Sequence, residues 1–371
     1  ALLKFLQAKS PIYRYKNYIN YDSSICQYDK RREECCGKCA ELCPSVAILK
    51  DESKRELVFS QVDCVGCGDC VSVCPSGSLE FTPLPSASFW ALLDFYKGKK
   101  ILLVDEKFTL ENLEISLDKN VLPLVLNSAQ LNETTLLALL QTSGANITLC
   151  ATRLSKGNED AIALLNAIFE RKFNKKAILV AFDKESLEKA LKECEFIDDL
   201  RFDLPQHPML KREHFAKRLL HIVENDDLGV VESGEWLRYG QVRVNETNCT
   251  LCLACVGACN VGALVADSKD NSLKFNASLC TTCGYCVASC AEKDTIELER
   301  SGIELKASYF HFHTLAHDEL FACVECGKEF ATKKAVERVA NLMKDKFAGN
   351  ERKLKTLYCC AECKARLMIF S

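Results

Sequence analysis

Three observations predict an α+β multidomain chain. A four-cysteine spacing recurs in tandem at two separate places among the 371 residues, and the stretch between them alternates strand and helix patterns without any such spacing. A different cysteine arrangement closes the chain. The expected order is an N-terminal arm at 1–25, a dicluster module at 26–85, an α/β domain at 86–204 and a linker helix at 205–240. A second dicluster module at 241–300 and a four-cysteine metal module at 301–371 complete it.

The arm carries Tyr13, Tyr15 and Tyr18 in a basic, polar context, with Pro11 breaking any early helix. Such a stripe predicts packing on the adjoining module rather than recognition. From Cys26 the spacing takes over. Cys64, Cys67, Cys70 and Cys74 form an unbroken C-x2-C-x2-C-x3-C, the pattern in which three thiolates hold three irons of one cubane and the fourth crosses to its neighbour. The preceding half keeps Cys36, Cys39 and Cys43 but has Glu33 where its leading cysteine belongs. Cys26 or Cys35 must supply the missing ligand, and Cys26 is preferred because the side chains of adjacent Cys35 and Cys36 diverge. The expected [4Fe-4S] ligand sets are therefore Cys26, Cys36, Cys39, Cys74 and Cys64, Cys67, Cys70, Cys43. Failing that, the first site is a three-iron cluster or takes a non-cysteine ligand.

Residues 86–204 come after the break at Pro83 and Pro85. Strand patterns at 101–104, 121–126, 147–149 and 177–180 alternate with helical ones at 133–142, 159–172 and 185–194, which predicts a parallel sheet covered on both faces, of flavodoxin-like type. No G-x-G-x-x-G or Walker A motif comes after a strand, which argues against a nucleotide site. Cys150 and Cys194 stand alone and read as buried small apolar residues. Residues 207–225, with His214 and His221, read as a basic amphipathic helix in solvent, partner docking being the sharper alternative.

The second module is complete: Cys249, Cys252, Cys255, Cys259, then Cys280, Cys283, Cys286, Cys290. By the crossing rule one cluster takes Cys249, Cys252, Cys255 and Cys290, the other Cys280, Cys283, Cys286 and Cys259. Zinc sites pair cysteines across a longer loop instead of repeating a triplet plus one. Apolar runs at 46–49, 57–59 and 78–81 have counterparts at 263–265, 273–275 and 296–298, so the dicluster unit is an internal repeat. Pro44 and Pro75 come directly after the fourth cysteines of the first module, whereas Asn260 and Ala291 take those places in the second. Proline has no N–H to donate, so the two modules should differ in potential.

Beyond it, His313 and His317 have the spacing of one helix face, but no glutamate completes a metal motif and packing or surface positions are favoured. Cys323, Cys326, Cys360 and Cys363 form two C-x2-C pairs across an apolar-sided helix at 332–347, with Cys359 as a spare. That pattern fits tetrahedral zinc; a single iron or a fifth cluster are the alternatives.

Composition narrows the function. The 24 cysteines cluster at ligand spacings instead of scattering as a disulfide framework, and no signal peptide precedes them, so a reducing cytoplasmic compartment is expected. A formal charge of −3 argues against a nucleic-acid surface and leaves docking on another protein as the default. No apolar run is long enough for a membrane span.

The two cysteine blocks resemble bacterial 8Fe-type ferredoxins, over about a third of the chain. The stretch from Cys26 to Cys39 and the ending Leu357-Tyr-Cys-Cys-Ala-Glu-Cys363 are similar to the multi-cluster iron–sulfur proteins that accompany formate dehydrogenases. Leu149-Cys150 through Gly157-Asn158 resembles a loop of the delta subunit of methyl-viologen-reducing hydrogenases, of whose cysteines only Cys150 remains. That resemblance implies a scaffold that keeps an electron-docking fold without its metal. Together these readings predict a low-potential electron carrier with four [4Fe-4S] clusters, not an enzyme, serving a redox partner of the formate dehydrogenase type. The alternative is an accessory or maturation factor whose clusters are structural or sensing. A catalytic site within 86–204 has little support.

Overall fold

The computed structural model describes residues 4, 16–108, 115–205 and 209–369. Tyr13 and Tyr15 lie outside them, as do 207 and 208 at the start of the expected basic helix. The chain divides into two compact units, one ending at Arg238 and the other beginning at Tyr239.

The centre of the first unit is a four-stranded parallel sheet in the spatial order Val121–Leu126, Lys100–Asp105, Ile147–Cys150, Ile178–Ala181. In chain order this is 2-1-3-4, the opening of the 2-1-3-4-5 order of flavodoxin-like sheets. Ile101, Leu102, Leu103 and Val104 are all buried, as a strand covered on both faces requires. Leu122 and Val125 on the edge strand are exposed. Helices Glu133–Ser143, Lys156–Phe173 and Lys184–Glu193 each begin at a capping box, set by Asn132 with Thr135, Ser155 with Asn158, and Asp183 with Ser186. The second starts three residues before its apolar pattern because the Ser155 side chain satisfies the Asn158 N–H there.

Two antiparallel pairs make up the first dicluster module: Ile48–Asp51 with Glu56–Phe59, and Ile19–Tyr21 with Leu79–Phe81. Part of the expected arm is thus a strand of the module. The short helices Lys38–Leu42 and Asp69–Ser72 lie within the cysteine turns.

Helix Lys211–Val223 is not the solvated linker that its charge suggested. Arg212, His214, Phe215, Arg218, Leu219, Ile222 and Val223 are all buried. Three of its cations are consumed internally, Lys217 alone staying in solvent beside Glu213. Lys211 pairs with the buried Glu133 at 3.0 Å and donates to the Cys74 carbonyl at 2.9 Å, while Arg212 donates to the carbonyls of Pro75 and Arg238. Arg218 donates to Gln141 Oε1 at 3.1 Å and to His214 Nδ1 at 3.3 Å.

The second unit repeats the module. Gln241–Val244 pairs with Ile296–Glu299 and Leu264–Asp267 with Ser272–Phe275, all antiparallel. His313–His317 adds a third strand beside Ser272–Phe275. The two histidines therefore sit on a strand, not a helix, His313 edge-on to Phe275 and His317 bonded to Glu246. A hairpin of Leu320–Ala322 and Glu329–Thr332 leads into helix Lys333–Lys344, capped by Thr332. Only Val336 and Ala340 of its apolar side are buried; Val339 and Leu342 face solvent. Thr332 Oγ1 also donates to the Thr250 carbonyl and Lys334 to that of Glu246, tying this segment to the second cysteine module. No helix among the described residues is long and apolar enough to cross a membrane.

Candidate iron–sulfur and metal centres

Cysteine turns bring their thiols together because consecutive peptide N–H groups curl toward the side chain that precedes them. Gly68 and Gly284 hold φ near +83° and +84°, the left-handed conformation that these turns demand at equivalent places in the two modules. Ala47 N–H reaches Cys43 Sγ at 3.3 Å, Tyr28 N–H reaches Cys26 Sγ at 3.4 Å and Thr282 N–H reaches Cys280 Sγ at 3.3 Å. Such donors favour a thiolate and, on a cluster, the reduced state.

In the first module one cavity is lined by Cys26, Cys36, Cys39 and Cys74, and another by Cys43, Cys64, Cys67 and Cys70. Cys35 is not among the residues lining the first cavity. In the second module Cys249, Cys252, Cys255 and Cys290 line one cavity, and Cys280, Cys283 and Cys259 surround the buried Cys286. Burial pushes the Cys36 thiol up to about 11 and the Cys255 thiol up to about 12, with neighbouring sulfurs adding to the rise in each case. Crowded, dry thiols of this kind ionise together only when a multiply charged cation compensates them, so the donor sets fit iron–sulfur cubanes.

The C-terminal group differs. Cys323, Cys326, Cys360 and Cys363 hold their sulfurs within 4.8 Å of one another, with Cys326 and Cys360 3.7 Å apart. A tetrahedral site with metal–sulfur bonds of about 2.3 Å has an edge of about 3.8 Å, so one ion fits and a cubane does not. Burial pushes Cys323 up, but the N–H groups of Cys360, Glu325 and Cys326 outweigh it and bring the thiol down to about 6. Arg366 donates to Cys363 Sγ at 2.9 Å. Cys359 stays outside the group, with its thiol on the Lys355 carbonyl.

Sequence reasoning missed how the first module is held. Its Cys64–Ser72 segment sits at the carboxyl ends of the parallel strands, where the order reverses between Lys100–Asp105 and its neighbours and where such folds usually take a ligand. Asn127, just after one strand, donates to the Gly66 carbonyl at 3.3 Å. Arg153, just after another, forms a two-pronged pair with Asp69 at 2.9 and 3.1 Å. Ser155 Oγ lies 3.2 Å from Ser72 Oγ, and a Cβ on Gly157 would stand 2.2 Å from that hydroxyl. The other turn is clamped by Lys38, which donates to the Glu235 carbonyl at 2.6 Å and lies 4.6 Å over the Trp236 ring. A charged residue between two closely spaced cysteines was the available signal in both turns, and without its partner it was mute. Cys150 is wholly buried and burial pushes its thiol up to about 11, as a core position would.

Comparison with known proteins agrees with the cysteine geometry. Residues 34–78 and 241–291 each match a profile of the 4Fe-4S dicluster domain, so the chain carries two such domains. Cys26 lies outside the first match. No curated protein matches the chain. Among solved structures, a chain of the formate dehydrogenase–heterodisulfide reductase–formylmethanofuran dehydrogenase complex from Methanospirillum hungatei is similar at 17% identity, over 84% of this chain and 89% of that one. The TM-score of that match is 0.24.

Proposed function

We propose that the chain is a low-potential electron carrier with four [4Fe-4S] clusters, on Cys26, Cys36, Cys39, Cys74; Cys43, Cys64, Cys67, Cys70; Cys249, Cys252, Cys255, Cys290; and Cys259, Cys280, Cys283, Cys286. The observation that carries this reading is the convergence of these sixteen thiols on four centres, all but Cys26 within the two matched dicluster domains. A cubane accepts one electron at a time, and four thiolate charges on each hold its potential low. The N-terminal and C-terminal cysteine segments favour a partner of the formate dehydrogenase type. Zinc is the expected ion at Cys323, Cys326, Cys360 and Cys363, where it holds the segment folded without taking part in electron transfer.

Metal and acid-labile sulfide analysis of the purified chain should give about 16 iron and one zinc, and dithionite should deliver about four electrons while bleaching the visible absorbance. Mixing with formate dehydrogenase and formate tests the partner. Bleaching on that mixture supports a carrier, whereas binding to the metal-free enzyme without reduction supports a maturation factor instead.

A further inference from the structure

We propose that the Arg153–Asp69 pair sets the reduction potential of the cluster on Cys43, Cys64, Cys67 and Cys70, the guanidinium raising it and the carboxylate lowering it; the inference rests on that ligand assignment. Asp69 lies between two of those cysteines and is buried, and the guanidinium it pairs with comes from the α/β domain, just beyond the end of a strand. Arg153 and Asp69 meet face to face at 2.9 and 3.1 Å, so neither charge can change without exposing the cluster to the other. Reduction places one electron on the cubane and moves no proton. A nearby cation stabilises the added charge and a nearby anion opposes it. Arg153 has 48% of its side chain exposed against 9% for Asp69, so water screens the guanidinium more and the carboxylate weighs more per charge. The second module has Tyr285 at the position of Asp69, after Gly284 in the same left-handed turn, and so lacks this negative charge. The pair thus distinguishes one cluster from its repeat.

The test is a redox titration of the full-length, cluster-loaded protein monitored by electron paramagnetic resonance. Arg153→Ala should move this cluster to a more negative potential, and Asp69→Asn to a less negative one by a larger amount. Each shift should correspond to about a three- to tenfold change in the ratio of reduced to oxidised cluster at fixed potential. Arg153→Lys should stay near the parent, and the double variant Arg153→Ala with Asp69→Asn should return toward it. Simple loosening of the loop would admit water, which favours the more charged reduced state, and would raise the potential in every variant. An Arg153→Ala potential equal to or above the parent's overturns the inference. Cys67→Ala separates the two premises: loss of one reducible signal upholds the ligand assignment and identifies the titration step that belongs to this cluster, while retention of all signals overturns the assignment and the inference with it.

Discussion

Residue order favours Cys26 over Cys35, because the side chains of adjacent Cys35 and Cys36 diverge, but each precedes Cys36 and either can complete a set of four. The fold separates them. Cys26 is buried at the cavity shared with Cys36, Cys39 and Cys74, where the strand Ile19–Tyr21 pairs with Leu79–Phe81 and the Asp22 N–H that comes after it donates to the carbonyl of Ser78, a residue of that cavity's lining. Cys26→Ala should therefore remove one reducible cluster, while Cys35→Ala should retain iron content and the full electron count. At the same scale, His214 stacks on Trp90 at 4.3 Å, and burial, then the Arg218 charge, holds it down to about 4. The unfolded residue titrates near the ordinary 6.5, so it takes up protons first and acid favours unfolding. This contribution, at most about 3 kcal/mol, is whole above about pH 6.5 and is lost as pH falls toward 4. His214→Gln, which keeps an acceptor for Arg218, should flatten the loss of thermal stability between about pH 7 and about pH 5.5 seen by tryptophan fluorescence.

Among elements, the loop after strand Ile147–Cys150 and the helix it starts do the holding. Gly157 stands at the first turn of Lys156–Phe173, and a methyl there meets not only the Ser72 hydroxyl but also Ser72 Cβ at 2.6 Å and its carbonyl carbon at 2.9 Å. Backbone cannot step aside as a flexible side-chain tip can. Gly157→Ala should cost about 1–3 kcal/mol, read as a lower melting temperature and faster loss of the visible absorbance on heating. Helix Lys211–Val223 shows why a charge pattern alone misled. Lys211, Arg212 and Arg218 read as solvated because they are charged, yet each finds a carbonyl or carboxylate inside the first unit. Long cationic side chains bury their stems and spend their charge on fixed oxygens, which a binary apolar pattern cannot register. His313 and His317 were misplaced for a related reason: a spacing of four fits one face of a strand as well as of a helix.

Across the whole molecule, two copies of one cysteine module serve in different settings. The first is gripped by an α/β domain; the second is extended by the four-cysteine segment through Thr332 and Lys334. Cys326→Ser, which takes one thiol from the four-cysteine group, should make residues 320–369 susceptible to protease while the visible absorbance remains, measured by digestion and mass spectrometry. Thiol spacing, strand and helix periodicity and the internal repeat were all legible from residue order, because a turn of three or four residues or a run of alternating burial is a local property of the chain. So was the grouping of sixteen thiols in the two dicluster modules and of four in the last segment. The placing of Cys26 beside the cavity of Cys36, Cys39 and Cys74, the burial of the basic helix and the ion pair between Asp69 and Arg153 came only from tertiary structure. Those depend on residues more than eighty positions apart in the case of the ion pair, or on a cavity closed from several directions, and no local pattern encodes which distant group a charge will meet.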